Sequence, residues 1–79
     1  MDRLDAALSK IPQNSLRTLA IWSAMYQHEQ QHDSRTAYTL GKIKGYVYAL
    51  VDFEIIEEIE TLCVVEYFTT ADRRKEWFR

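Results

Sequence analysis

The chain has 79 residues, ten Lys and Arg against twelve Asp and Glu, and a formal net charge of −2. This length allows one domain at most and excludes a catalytic domain with a separate substrate domain. The balanced charge argues against a strongly basic nucleic-acid-binding protein, and the apolar content of 47% excludes a disordered chain.

The first predicted helix ends at the single proline, Pro12. Three apolar residues recur before it at helical spacing, namely Leu4, Leu8 and Ile11. A second helix begins with Asn14 or Ser15 as its N-cap and continues to about residue 31. Helix propensity drops near Asp33, where Asp33 or Ser34 is the expected cap of a new helix, so we predict a break there rather than one helix over 15–50.

The third predicted helix carries an apolar stripe at spacings of three and four, formed by Leu40, Ile43, Val47 and Leu50. Gly41 and Gly45 lie inside this stripe, and each costs up to about 1 kcal/mol against Ala. They predict a close helix–helix approach or a local turn.

The remaining chain predicts one further helix and a short terminal one. Asp52 is the expected N-cap of a helix whose first turns carry Glu54, Glu57 and Glu58, where negative charge suits the helix dipole. Residues 64–70 have strand-like composition, but a lone strand has no partner here, so we interpret them as helix. Thr70 is the expected cap of a final turn or two over 73–78.

These elements predict an all-α fold, a compact bundle of four (three to five) short helices in a single domain over residues 1–79. The residues expected in the core are Trp22, Tyr26, Val47, Ile59, Leu62 and Phe68.

The number of cysteines and the distribution of apolar residues indicate the cellular location of the protein. Cys63 is the only cysteine. Since secreted domains of this size usually need disulfides or a metal, we expect a reducing, cytoplasmic location. Residues 1–5 hold two acids and no apolar run, which argues against a signal peptide, and four Glu interrupt the apolar stretch over 55–68, which argues against a membrane span.

The segment His28-Glu29-Gln30-Gln31-His32 fits the pattern His-Glu-x-x-His and resembles the zinc-binding helix of the zincin metallopeptidases. The resemblance implies Zn²⁺ held by His28 and His32, with Glu29 taking a proton from bound water. A third ligand would come from Asp52, Glu54, Glu57 or Glu58. The competing interpretation, which we prefer, is a pair of partly exposed histidines in a polar run, with no cofactor.

The pattern Ala37-x-x-x-Gly41 is compatible with a helix-turn-helix, with Lys42 and Lys44 contacting phosphate. Gly45 would then interrupt the recognition helix, and the aromatic residues after it read base edges poorly. DNA binding is therefore an alternative hypothesis, and a tight helix crossing is the preferred interpretation.

Ring content and charge segregation favour a protein partner. Two Trp, five Tyr and three Phe exceed what so small a domain can bury, so some rings should form an exposed contact face. The acids at 54, 57 and 58 predict an acidic ridge, and the tail over 73–79 is basic. The predicted partner-binding residues are Tyr46, Tyr48, Glu54, Glu57, Glu58, Arg73, Arg74 and Trp77.

No catalytic constellation accompanies these residues. The sequence therefore predicts a small non-enzymatic protein that binds another protein or itself, of the accessory or inhibitor type carried by phages and mobile elements.

Overall fold

Five α-helices and one 3₁₀ turn make up the chain in a computed structural model that describes residues 2–32 and 36–78. The helices are α1 (Arg3–Lys10), α2 (Gln13–Gln31), α3 (Thr36–Asp52), α4 (Thr61–Thr70) and α5 (Arg74–Trp77), with the 3₁₀ turn over Glu58–Glu60. The described ranges contain no strand, so the all-α prediction is confirmed, including helix rather than strand over 64–70. None of these helices is both long and apolar enough to cross a bilayer.

Helix α2 lies at the centre of the bundle and packs against α3, α4 and α5, while α1 packs on α4 and the 3₁₀ turn. The core between them consists of twelve buried apolar residues: Ala7, Ile11, Leu16, Leu19, Ala20, Ile43, Val47, Leu50, Ile56, Val64, Val65 and Phe68. Val47 and Phe68 are therefore core residues as predicted, and Trp22 and Tyr26 are half-buried at its edge. Ile59 and Leu62 are exposed, so their prediction as core residues is wrong.

Helix α1 ends before Pro12 as predicted, and the Asp2 carboxylate caps its start by accepting from the Asp5 N–H at 2.8 Å. Helix α2 begins at Gln13 with Pro12 as N-cap, so the predicted cap at Asn14 or Ser15 is wrong. Proline tolerates this position because its φ is fixed and it has no N–H to satisfy. The predicted break between α2 and α3 is confirmed, and the predicted caps at residues 33 and 34 lie outside the described residues.

A Schellman turn ends α3 and overturns the predicted acidic helix. Asp52 is the last residue of α3 instead of an N-cap. The Ile55 N–H donates to the Leu50 carbonyl at 2.8 Å, and the Glu54 N–H to the Val51 carbonyl at 2.9 Å. This 6→1 and 5→2 pattern places Glu54 at the left-handed position, with φ 60°. The acids at 54, 57 and 58 therefore lie on a turn and its exit, and do not form a helical ridge.

The helical path resumes around the buried carboxylate of Glu60, whose side chain is 5% exposed. Glu60 Oε1 accepts from Lys10 Nζ at 2.7 Å and from the Glu57 N–H at 2.8 Å. The second bond is the return half of a capping box, which fixes where helical geometry restarts. The first bond ties this restart to the last turn of α1.

A polar junction holds α5 against α2. The Ser23 hydroxyl is fully buried, donates to the Ala20 carbonyl and accepts from the Arg73 N–H at 2.9 Å. The N-cap of α5 is Arg73, so the predicted cap at Thr70 is wrong. The carboxylate of the preceding Asp72 accepts from the Arg74 N–H at 3.0 Å. Thr70 is instead the last residue of α4.

The ionised state of Glu60 should make stability pH-dependent. The Glu57 N–H and the Lys10 ammonium lower the pKa of Glu60 below its ordinary value of 4.5, although burial opposes them. A lowered folded-state pKa stabilises the fold fully above that ordinary value, and the contribution is lost as pH falls through the lowered one. We expect Glu60→Gln to reduce the free energy of unfolding at pH 7 by about 1–3 kcal/mol.

Urea unfolding at pH 7 and pH 3 tests this expectation. The variant should lose less stability on acidification than the wild type, whereas Glu66→Gln, at an exposed position, should behave like the wild type. Parallel losses in wild type and Glu60→Gln would contradict the role of this carboxylate.

The left-handed residue at the end of α3 gives a second stability prediction. A non-glycine residue at φ 60° carries a steric penalty that glycine lacks. We expect Glu54→Gly to raise the free energy of unfolding by about 0.5–1 kcal/mol, and Glu58→Gly, where φ is negative, to lower it. Thermal unfolding checks both, and destabilisation by Glu54→Gly would contradict the Schellman geometry.

Candidate functional site

A groove of about 350 Å³ lies between the second half of α3 and the start of α4. Its lining residues are Lys44, Tyr48, Glu58, Ile59, Thr61, Leu62 and Val65. Three of them are large and exposed: Tyr48 by 54%, Ile59 by 61% and Leu62 by 71%. Apolar side chains left in water cost free energy, and several in one groove are typical of a binding surface.

The restart of the helix at Glu58 explains why Ile59 and Leu62 point outward. From this start the buried positions are Glu60, Thr61, Val64, Val65 and Phe68, which lie on one helical face. The prediction assumed an unbroken helix from residue 54, which shifts the phase. The Glu57-x-x-Glu60 spacing, a capping-box variant, is the sequence signal that could have placed the restart correctly.

Thr61 adds a polar feature to the groove. The residue is 8% exposed, and its hydroxyl is the one buried side-chain polar atom without a hydrogen-bond partner in the described ranges. An unsatisfied buried hydroxyl costs about 1–3 kcal/mol. The hydroxyl oxygen itself is covered, so the groove offers mainly apolar contact area.

Opposite charges flank the apolar residues. Lys44 reaches the groove from α3 and Glu58 from the 3₁₀ turn, and both are exposed. Across residues 2–32 and 36–78 neither side chain forms an ion pair. The groove therefore offers one cation and one anion, on different structural elements, that have no ion-pair partner among the described residues.

Glu58 and Ile59 also line a neighbouring depression of about 520 Å³. Glu54 and Glu57 lie in this depression, together with Lys10 at its edge. Of the eight predicted partner-binding residues, Tyr48 and Glu58 lie in the groove and these two acids lie beside it.

The other four predicted residues make contacts within the bundle. Tyr46 packs edge-on against Trp22, with ring centroids 5.3 Å apart, and its hydroxyl bonds to Ser15 Oγ at 3.0 Å. The Arg73 guanidinium stacks over the Tyr67 ring at 4.1 Å and donates to the Tyr67 carbonyl.

Arg74 forms an ion pair with Asp72 at 2.6 Å, and hydrogen bonds from its side chain and its backbone N–H lower the pKa of that carboxyl. Trp77 Nε1 donates to the Tyr67 hydroxyl, and the Trp77 carbonyl accepts from Arg17 Nε at 3.1 Å. The contacts of Arg73 and Trp77 hold the C-terminal segment against α2 and α4, whereas the Arg74–Asp72 pair lies within that segment.

The two histidines lie at the end of α2, with ring centroids 4.3 Å apart. One oxygen of the Glu29 carboxylate accepts a hydrogen bond from the buried Thr39 hydroxyl of α3. No group of three or more potential metal ligands occurs among the described residues. The third ligand implied by the zincin resemblance is thus missing there.

Helix α3 runs unbroken through Gly41 and Gly45, so the predicted helix-turn-helix corner is not formed. The Lys42 ammonium lies over the Trp22 ring at 4.7 Å and the Tyr38 ring at 5.6 Å. Both glycines are exposed, and a Cβ added to either meets nothing within 4 Å. The predicted tight helix crossing within the bundle is therefore wrong as well.

No protein-family model matches this chain, and no curated protein or solved structure shows significant similarity to it. Functional inference therefore rests on the geometry of the groove.

The exposure of Leu62 yields a stability prediction. We expect Leu62→Gln to change the free energy of unfolding by less than about 0.5 kcal/mol, because the side chain packs little in the isolated chain. Two residues on, Val64→Ala should cost about 1–3 kcal/mol, since Val64 is fully buried. Urea titration of both variants tests this. A large decrease in the free energy of unfolding of Leu62→Gln would show that Leu62 is a core residue.

Proposed function

We propose that this protein acts without catalysis, by binding another protein or a second copy of itself through the groove between α3 and α4. The observation that carries the proposal is that three of the exposed large apolar side chains, Tyr48, Ile59 and Leu62, line the same groove. Covering them would release water from apolar surface and stabilise a complex.

A further feature supports binding over a purely structural role. Among the described residues, Lys44 and Glu58 flank the apolar side chains and form no ion pair. An apolar centre with a charged rim is the usual composition of a protein interface. A chain of this size with such a surface suits an accessory or inhibitor protein.

Site-specific photo-crosslinking in the native host tests the proposal. A photoreactive residue at position 62 should give covalent protein adducts on irradiation, because the bound partner would lie against it. The same residue at position 30, exposed on α2 away from the groove, should give few. Equal labelling at both positions, or none at position 62, would overturn the proposal.

A further inference from the structure

We infer that the occupant of the groove is a second copy of this chain, held by a two-fold interface in which Lys44 of each copy pairs with Glu58 of the other. This inference rests on the proposed function and specifies its partner. It follows from the charges of the groove, from the two glycines of α3 and from the area that a stable dimer needs.

The charges of the groove are self-complementary. In a two-fold interface every contact occurs twice, with the roles of the copies exchanged. Lys44 and Glu58 lie on different elements that line one groove, and neither is paired within the described chain. A two-fold axis through the groove therefore forms two reciprocal ion pairs around the apolar residues. A strongly basic or acidic partner would leave one of the two charges opposed to a like charge.

The glycines of α3 supply an independent argument. Gly41 and Gly45 lie on the same exposed face of α3 as Lys44 and Tyr48, at spacings of three and four. Neither has a positive φ, and a side chain at either would meet nothing in the bundle. The fold of the single chain thus gives no reason for two poor helix formers on this face.

A second copy gives that reason. Without Cβ atoms, the α3 face permits a close approach of another backbone. In the two-fold arrangement Ile59 of the 3₁₀ turn and Leu62 of α4 from the second copy pack against this glycine face and Tyr48. The two protruding apolar side chains of one copy then fill the space left open on the other.

The available surface is sufficient for such a pairing. A stable interface buries about 800 Å² on each partner. The chain exposes 5185 Å² in all and measures 34 × 26 × 21 Å, so one face can supply that area. The groove, the glycine face of α3 and the apolar rim at Ile59 are adjacent parts of one face.

Charge exchange tests the inference, with the association state measured by sedimentation velocity over a range of concentrations. The wild type should sediment as a reversible dimer at micromolar concentration. We expect Lys44→Glu and Glu58→Lys each to weaken the dimer by about tenfold or more, because each creates two like-charge contacts. The double variant should recover most of the wild-type affinity, since it restores both pairs in reverse.

Two size variants test the packing. Gly45→Leu should weaken the dimer by about tenfold or more while leaving the helix content and thermal stability of the monomer intact or improved. Leu62→Gln should also weaken it, whereas Ile21→Gln, an equally apolar change at an exposed position on α2, should not. Circular dichroism confirms that each variant is folded.

The outcomes separate this inference from the proposed function. The inference of a dimer is overturned if the wild type stays monomeric at high micromolar concentration. It is also overturned if a dimer forms but its affinity is unchanged by Lys44→Glu, Gly45→Leu and Leu62→Gln. Crosslinked adducts at position 62 with twice the mass of the chain support the dimer. Adducts with a different protein only, such as a basic amphipathic helix, retain the proposed function and overturn the dimer. Absence of adducts overturns the proposed function itself.

Discussion

The groove between α3 and α4 depends on the hydrogen bonds of the buried Glu60 carboxylate. This carboxylate accepts from Lys10 of α1 and from the Glu57 N–H, so one side chain both starts the helical path and anchors it to the first helix. A buried carboxylate persists as an ion only where such partners offset its desolvation. Its position sets the phase of α4, and that phase decides that Val64 and Phe68 are inside while Ile59 and Leu62 are outside.

The turn before it has the complementary role. A Schellman motif with Glu54 in the left-handed conformation ends α3 and reverses the chain within a few residues. Because α3 stops there, Tyr48 near its end and Leu62 near the start of α4 come to line the same groove. The Schellman turn and the capping box are both polar features, and together they position the apolar side chains of the groove.

The C-terminal segment stabilises the bundle through contacts with α2 and α4. Ser23 and Arg73 join α2 to α5 through a buried hydrogen bond, and Trp77 and Tyr67 join α5 to α4. Basic and aromatic residues at a chain end suggest a binding tail from sequence alone. Here Arg73 and Trp77 are engaged in contacts within the molecule, whereas Tyr48, Ile59 and Leu62 remain exposed in the groove.

The sequence by itself determined the helical class, the break at Pro12, the separation of α2 from α3 and an excess of rings over core volume, because these follow from local propensity, spacing and counting. Two of the residues it predicted for partner binding, Tyr48 and Glu58, line the groove. Only the tertiary structure decided the phase of α4 and the intramolecular contacts that Tyr46, Arg73 and Trp77 make. That phase depends on a pair 50 residues apart, Lys10 with Glu60, and local periodicity carries no information about a contact at that separation.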